Sequence, residues 1–259
     1  MNICRISRTG WLGAIALLLA LAVARVEAAA PFDVRNIVLV HGAFADGSGW
    51  SRVIPLLQHK GYHVTAVQLP LTGLADDVTA TRRVLEREHG DVILVGHSWG
   101  GVVVTEAGSD PKVAGLVYVS ALVPDDGESA SALLDRFKAP MEGFKPDSTG
   151  LVWLDDPLAF HGVMGSDLGM PLARSLAAVQ RPVAARSFAD TVSHAAWHDK
   201  PSWFLITESD HALLPRVQRS IAQQIHATTL SIKSSHLSMF SHSRQVAALI
   251  ESAARGARQ

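Results

Sequence analysis

Short runs of apolar, β-branched residues alternate with helical patterns along most of this chain, and this alternation is the strongest constraint on its fold. The apolar runs cover residues 36–40, 63–69, 91–95, 113–120, 202–207 and 228–232. The helical patterns cover residues 50–60, 74–89, 102–108, 214–224 and 244–254. Continuous apolar runs are typical of strands that are buried on both faces. Strands joined in turn by helices predict an α/β fold with a mainly parallel sheet and helices on both of its faces.

The alternation stops between residues 121 and 200. That stretch contains no run typical of a buried strand, and its prolines separate short helical patterns such as residues 172–179. A single α/β domain of roughly 250 residues can carry an insertion of this size. We therefore expect an α/β core formed by residues 31–120 and 201–259, with an inserted helical cap at residues 121–200.

The first 30 residues have the pattern of a secretory signal peptide. Arg5 and Arg8 precede an apolar run at residues 11–24, and the segment 26–30 then offers small residues at the −3 and −1 positions of a signal-peptidase site. A retained membrane anchor is the alternative, although the run is shorter than the roughly 20 residues that a span needs. We expect a periplasmic or secreted protein with no stable membrane association after cleavage. The chain beyond Cys4 has no cysteine, which excludes disulfides and a thiolate nucleophile.

Charge and motif content exclude several function classes. The chain has 23 basic and 24 acidic residues without a basic cluster, so no nucleic-acid partner is expected. It lacks G-x-G-x-x-G, Walker and Cys/His zinc patterns, and we expect neither a cofactor nor a metal. His194 and His198, four residues apart and close to Asp199, are a weaker metal-binding alternative, because the Glu of a metalloprotease motif is absent.

The strongest functional signal is the pentapeptide GHSWG at residues 96–100. The bare G-x-S-x-G pattern is weak, because roughly one chain in ten of this length contains it by chance. Here it directly follows a buried strand and runs into a helix, which is the setting of a nucleophile elbow. Ser98 would then stand at a helix N-terminus, where the positive end of the helix dipole favours a developing anion. An ordinary turn with a surface serine is the alternative.

A serine hydroxyl needs a base to take its proton and an acid to orient that base. His236 lies between the last strand and the last helix, and His242 is the alternative base. Asp210 follows the preceding strand, and Glu208 is the alternative acid. The order serine, acid, histidine is the one that accompanies a nucleophile elbow.

An oxyanion hole is expected from two backbone N–H groups. One belongs to Trp99, which follows the nucleophile, and the other to the loop after the first strand, with Ala43 as the donor. His41 is expected to brace this loop, and His97 is expected to be structural. Loss of one such donor typically lowers turnover by roughly 10²–10³-fold.

Four segments together resemble the α/β-hydrolase superfamily. They are HGA at 41–43 with the Gly-Trp pair at 49–50, GHSWGG at 96–101, TESD at 207–210, and SSHLSMFSH at 234–242. The similarity is strongest to plant methylesterases, hydroxynitrile lyases and their bacterial esterase-like relatives. It covers about residues 36–254, and the cap matches least. The resemblance implies a catalytic triad of Ser98, Asp210 and His236, with Ala43 and Trp99 as oxyanion donors.

The sequence departs from the lyase members at two positions. Those relatives carry Thr in place of Gly42, and Lys in place of Leu237 after the catalytic histidine. Both departures favour ester hydrolysis, since no lysine is present to hold the charge of cyanide.

We therefore expect a serine hydrolase that cleaves a small or medium carboxylic ester through an acyl-enzyme, with no cofactor. Phe44, Trp153, Trp197 and Leu237 are the candidate substrate-binding residues. The same catalytic groups also serve C–C, lactone or amide cleavage and perhydrolysis, so these reactions are alternatives. A non-catalytic binding protein on the same scaffold is a third possibility. The sequence does not predict the physiological substrate or the oligomeric state.

Overall fold

The computed structural model describes residues 34–139 and 144–257, and of the first 33 residues only Met1. The chain divides into two units, Met1–Pro31 and Phe32–Gln259, and the fold described below is that of the second. The expected signal peptide at residues 1–30 lies outside the described residues, apart from Met1. None of the helices in the described ranges is both long enough and apolar enough to cross a membrane.

Six of the eight described strands form one sheet. The strands are β1 (Asn36–Val40), β2 (His63–Ala66), β3 (Val92–His97), β4 (Val113–Val119), β5 (Leu151–Val152), β6 (Val183–Ala184), β7 (Ser202–Thr207) and β8 (Thr228–Ile232). The main sheet has the order β2-β1-β3-β4-β7-β8, and every neighbouring pair in it is parallel. The inner strands β1, β3 and β7 are buried along their whole length, whereas both edge strands are partly exposed. The mainly parallel α/β fold predicted from the sequence is thus confirmed.

Nine α-helices connect or flank these strands. They are α1 (Ile54–His59), α2 (Leu74–Arg87), α3 (Trp99–Ala107), α4 (Ala130–Arg136), α5 (Pro157–Met164), α6 (Met170–Val179), α7 (Pro215–Gln224), α8 (Ser238–Ser241) and α9 (Ser243–Gly256) among the residues that the structure describes. Helix α3 packs on β3 and against α2, while α9 packs on β3, β4 and β7 and against α1. The apolar side chains between these layers form the core.

The stretch at 121–200, predicted to be a cap, contains helices α4, α5 and α6 and short 3₁₀ turns. It also contains the small antiparallel pair of β5 and β6, which the sequence patterns did not predict. Residues 140–143 of this stretch lie outside the described part. The division of the chain into core and cap stays a prediction.

Candidate active site

A one-residue turn joins strand β3 to helix α3, and Ser98 is that residue. Its backbone has φ 52° and ψ −120°, a positive-φ conformation that costs a non-glycine residue about 1–3 kcal/mol. Glycines on both sides make the turn possible. A Cβ at Gly96 would lie 2.5 Å from the carbonyl oxygen of Gly100, and one at Gly100 would lie 2.6 Å from that of Val40. The strained turn holds the Ser98 hydroxyl at the N-terminus of α3.

His236 and Asp210 form a buried hydrogen-bonded pair. Asp210 follows β7 and His236 follows β8, so both lie at the carboxyl edge of the parallel sheet, where β3 also ends. The ring N–H at Nδ1 of His236 donates to Oδ2 of Asp210 at 2.7 Å, and each residue is 1% exposed. The acid predicted from the sequence therefore orients the predicted base.

Four further donors hold the Asp210 carboxylate. Oδ1 accepts the backbone N–H groups of Ala212 at 2.8 Å and Leu213 at 2.9 Å. Oδ2 accepts the Thr207 hydroxyl at 2.7 Å and the Gln218 side-chain amide at 2.9 Å. Such an array stabilises an ionised carboxylate away from water. Sequence analysis missed Gln218, although a polar residue within the buried stripe of α7 is a readable signal.

Two neutral histidines brace the loops around Ser98. Nε2 of His97 donates to the backbone carbonyl of His236 at 3.1 Å, and burial holds the pKa of His97 well below its usual value. His41 accepts the N–H of Leu69 at Nε2 (3.0 Å), so Nδ1 carries the proton and donates to the carbonyl of Gly42 at 2.8 Å. Burial lowers the pKa of His41 to about 4. The bracing expected of His41 is present, and His97 directly supports His236.

A buried carboxylate lies beneath the elbow. Asp77 is fully buried, and its two oxygens accept the indole N–H of Trp99 and the backbone N–H of Leu71, both at 2.8 Å. Burial raises the pKa of Asp77 to about 6. Trp99 is thus fixed through its side chain as well as through helix α3.

Ser98 and His236 line the same cavity, which has a volume of about 380 Å³. Ala43 and Trp99, the predicted oxyanion donors, also line it. Nε2 of His236, the ring nitrogen that does not contact Asp210, is buried and has no hydrogen-bond partner within the described ranges. That nitrogen is the atom that could receive a proton from Ser98.

The remainder of the cavity wall is mainly apolar. It includes Leu122, Leu134, Phe144, Val163, Met164, Phe188, Leu213 and Leu214, with Lys138, Arg216 and His211 as basic side chains. Phe44, one of the candidate substrate-binding residues, lines the cavity, and its ring stacks on that of Phe144 with centroids 5.6 Å apart. A concave apolar site with a few polar groups is typical of small-molecule binding.

The other three predicted substrate contacts lie elsewhere. Leu237 lines a separate small cavity beside His41 and His97. Trp153 is 45% exposed and donates its indole N–H to Asp147 at 2.9 Å. Trp197 donates its indole N–H to a backbone carbonyl, that of Pro124, at 3.0 Å. These side chains do not line the cavity that contains Ser98.

The alternative catalytic residues have other partners. Glu208 pairs with Arg219, the closer of its two contacts being 2.5 Å, and this ion pair holds the pKa of its carboxyl below the usual value. His242 lies at the start of α9, where Nδ1 contacts the hydroxyl of Ser241 at 2.9 Å. Neither side chain lines the cavity that contains Ser98.

The two histidines of the metal-binding alternative each contact an exposed carboxylate. His194 contacts Asp199 at 2.6 Å and His198 contacts Asp125 at 2.8 Å. Single ligand atoms of Asp125, Asp126 and His198 lie within 4.8 Å of one another. The two histidines do not share a helix face, since the only helical turn here is a 3₁₀ turn at Ala196–His198.

Residues 37–249 match the model of the alpha/beta hydrolase family. The chain belongs to this family. It is 27% identical over 209 residues to the alpha/beta hydrolase nvfD of Aspergillus novofumigatus, a match that covers 73% of this chain and 83% of that protein. It is 25% identical over 251 residues to Methylesterase 3 of Arabidopsis thaliana, with coverage of 83% and 94%. The resemblance inferred from the motifs is confirmed.

Solved structures agree on the fold of this alpha/beta hydrolase. A pyrethroid hydrolase from Sphingobium faniae superposes with a TM-score of 0.74 at 23% identity, covering 85% of this chain and 97% of that one. At this level of identity, the likeness establishes the shared fold alone.

Proposed function

We propose that this protein is a serine hydrolase that cleaves a carboxylic ester through an acyl-enzyme intermediate. The observation that carries the proposal is the buried pair of His236 and Asp210, whose remaining ring nitrogen, Nε2, is unpartnered among the described residues. Ser98 lines the same cavity on a strained turn. The relatives named as esterases, including Methylesterase 3 of Arabidopsis thaliana, support the same reaction class.

The reaction follows from these groups. Nε2 of His236 takes the proton as the Ser98 oxygen attacks the ester carbonyl, and Asp210 stabilises the imidazolium. The backbone N–H groups of Ala43 and Trp99 stabilise the oxyanion. The tetrahedral intermediate collapses to an acyl-serine as the alcohol leaves with the proton from His236. A water molecule, deprotonated by His236, then releases the acid and restores the serine.

The cavity supports an apolar ester of small or medium size. Its volume of about 380 Å³ lies within the range of about 300–1,000 Å³ that is typical of small-molecule sites. Three of its wall residues are Phe44, Phe144 and Phe188, which suit an aromatic or branched acyl or alcohol group.

The residue at position 42 supports hydrolysis rather than cyanohydrin cleavage. A Cβ at Gly42 would lie 2.8 Å from Cβ of Ser98 and 3.0 Å from Nδ1 of His97. A threonine of the kind found in the lyase relatives would therefore require both of these neighbours to move. The basic residue that follows the catalytic histidine in those relatives is replaced here by Leu237.

We further propose that the protein acts in the periplasm or outside the cell, on a small-molecule ester and without a cofactor. The support is the charged, apolar and small-residue order of residues 1–30. N-terminal sequencing of the protein recovered from the periplasm or medium would test the cleavage.

The reaction is tested with a panel of p-nitrophenyl esters carrying short, medium and aromatic acyl groups. Ser98→Ala is expected to lower kcat by at least about 10⁴-fold, because no other group supplies the nucleophile. Ser187→Ala is the matched control, since this serine is buried in the cap and its hydroxyl has no hydrogen-bond partner within the described ranges. Ester hydrolysis that persists in the Ser98→Ala protein would refute the proposal.

A further inference from the structure

The loop that carries His236 is tied to the cap by one carboxylate. Asp167 lies between α5 and α6, and its Oδ2 accepts the backbone N–H of Ser235 and the hydroxyl of Ser234, both at 3.1 Å. Its Oδ1 accepts the hydroxyl of Ser235. These serines are the two residues that immediately precede His236.

The same part of the cap makes two more contacts with the catalytic loops. The backbone N–H of Leu237, the residue after the histidine, donates to the carbonyl of Met164 at 3.1 Å. Nδ1 of His211, the residue after the catalytic acid, donates to the carbonyl of Gly162 at 2.9 Å. The cap segment 162–167 therefore bonds to both loops. Among the hydrogen bonds of the described residues, those to the histidine loop from a side chain of this segment come from Asp167.

Few other groups can replace Asp167 as the acceptor for the hydrogen bonds of Ser234 and Ser235. Ser234 and Ser235 are each 1% exposed, so water cannot readily satisfy their donors. The hydroxyl of Ser234 has two other partners, the hydroxyl of Ser241 and the backbone carbonyl of Ser235, both at 3.0 Å. The hydroxyl of Ser235 has Asp167 as its only acceptor within the described ranges. Burial raises the pKa of the Asp167 carboxyl, but the hydrogen bonds from the serines outweigh this effect and hold the pKa below its usual value.

The position of this loop matters because His236, the proposed base, does not yet contact Ser98, the proposed nucleophile, in this structure. Nε2 of His236 has no hydrogen bond to Ser98, although both residues line one cavity. A small displacement of the histidine backbone therefore decides whether the proton can be transferred. A misplacement of about 1 Å in a catalytic group can lower the rate by about 10²-fold.

We propose that Asp167, a residue of the cap, is a positioning residue that holds His236 where its Nε2 can accept the proton of Ser98. The inference rests on the proposed function. It links the cap to the rate of the chemical step, beyond any part that the cap plays in enclosing the substrate.

The test compares steady-state kinetics on one p-nitrophenyl ester. Asp167→Ala is expected to lower kcat by about 10–100-fold with KM within about threefold, because the substrate cavity does not include Asp167. Asp167→Asn is expected to keep kcat within about fivefold of wild type. Its amide oxygen can accept from the Ser235 N–H and the Ser234 hydroxyl, and its NH₂ can donate to the hydroxyl of Ser235.

Asp147→Ala is the matched control. This cap carboxylate also accepts several hydrogen bonds, from Thr149, Leu151 and Trp153, but none from a catalytic loop. It is expected to alter the melting temperature without a comparable loss of kcat. Melting temperatures of all variants are measured in parallel, and Asp167→Asn keeps the test valid if the alanine variant does not fold.

The outcomes separate this inference from the proposed function. The inference is supported if kcat falls in Asp167→Ala and is restored in Asp167→Asn at similar KM. It is overturned if Asp167→Ala keeps kcat within twofold, or loses it no more than Asp147→Ala does, or if a folded Asp167→Asn protein is as impaired as alanine is expected to be. An inactive wild type, or an active Ser98→Ala protein, would instead overturn the proposed function.

Discussion

Acidification should destabilise this fold because it protonates buried, neutral histidines, and His41 allows a quantitative test of this explanation. The side chain is 2% exposed, and its Nε2 accepts a hydrogen bond from the N–H of Leu69. Protonation would place two donors against each other at that nitrogen. Burial accordingly lowers the pKa of His41 to about 4, from the 6.5 of an exposed imidazole.

The sign and size of this pH effect on the free energy of unfolding follow from the difference in proton binding between the folded and unfolded chains. The unfolded chain binds a proton at His41 below pH 6.5, whereas the folded chain does so only near pH 4. Stability from the neutral His41 is therefore complete above pH 6.5 and is lost as the pH falls through that value towards 4. The whole loss is about 3 kcal/mol, and about 2 kcal/mol of it falls between pH 7 and pH 5.

The assay is urea unfolding of wild type and His41→Gln at pH 7 and pH 5. Glutamine does not titrate, so the variant should lose about 2 kcal/mol less than wild type between the two pH values. The contribution from Asp77 remains in both proteins and cancels in this comparison. Equal pH dependence in the two proteins, within about 0.5 kcal/mol, would refute the account of a neutral, hydrogen-bonded His41.

Two further substitutions test the elbow. Gly42→Ala places a methyl group 2.8 Å from Cβ of Ser98, so kcat/KM for ester hydrolysis should fall by about 10²-fold. Gly49→Ala is the control, because a methyl group there meets no atom within 4 Å, and its kcat/KM should be near that of wild type. Equal effects of the two substitutions would contradict the argument. Trp99→Phe removes a donor from the buried carboxylate of Asp77, so urea unfolding at pH 8 should show a loss of about 1.5–3 kcal/mol. At pH 5 the carboxyl of Asp77 is already protonated, because its pKa in the folded protein is about 6, so the loss of unfolding free energy should be smaller than at pH 8. A larger loss at pH 5 would contradict this account.

The core strands could be predicted closely from the sequence. Strands β1, β7 and β8 have the predicted limits, because each is an apolar or β-branched run that ends at turn residues. The limits of the strand and the helix beside the elbow were predicted less accurately. The apolar run ends at Val95 and the helical pattern begins at Val102, whereas β3 reaches His97 and α3 begins at Trp99. A glycine-rich stretch is typical of a loop, and only close packing forces it into a one-residue turn.

The cap was the least predictable part of the fold. Strands β5 and β6 are two residues long, too short for any periodicity to indicate them. Trp153 and Trp197 were predicted to contact substrate because a cap that closes over Ser98 must line the pocket with some of its apolar side chains. Composition does not reveal which way a side chain points, and both indoles instead bond to other parts of the protein.

The chain order of the site residues was more informative. In a parallel sheet all strands end at one edge, so Asp210 and His236 could be placed together from the sequence alone. The supporting roles of Asp77 and Asp167 could not, because their partners Trp99 and Ser235 are distant in the chain and follow no spacing rule. The catalytic roles of Ser98 and His236 stay predictions that chemistry must decide.

The most direct test of a Ser98 nucleophile is covalent labelling of the native protein with a fluorophosphonate, followed by peptide mass mapping. The account predicts one adduct per chain, on Ser98, forming in step with the loss of ester hydrolysis and absent from the Ser98→Ala protein. An esterase that remains active and unlabelled, or that carries the adduct on a different residue, would contradict it.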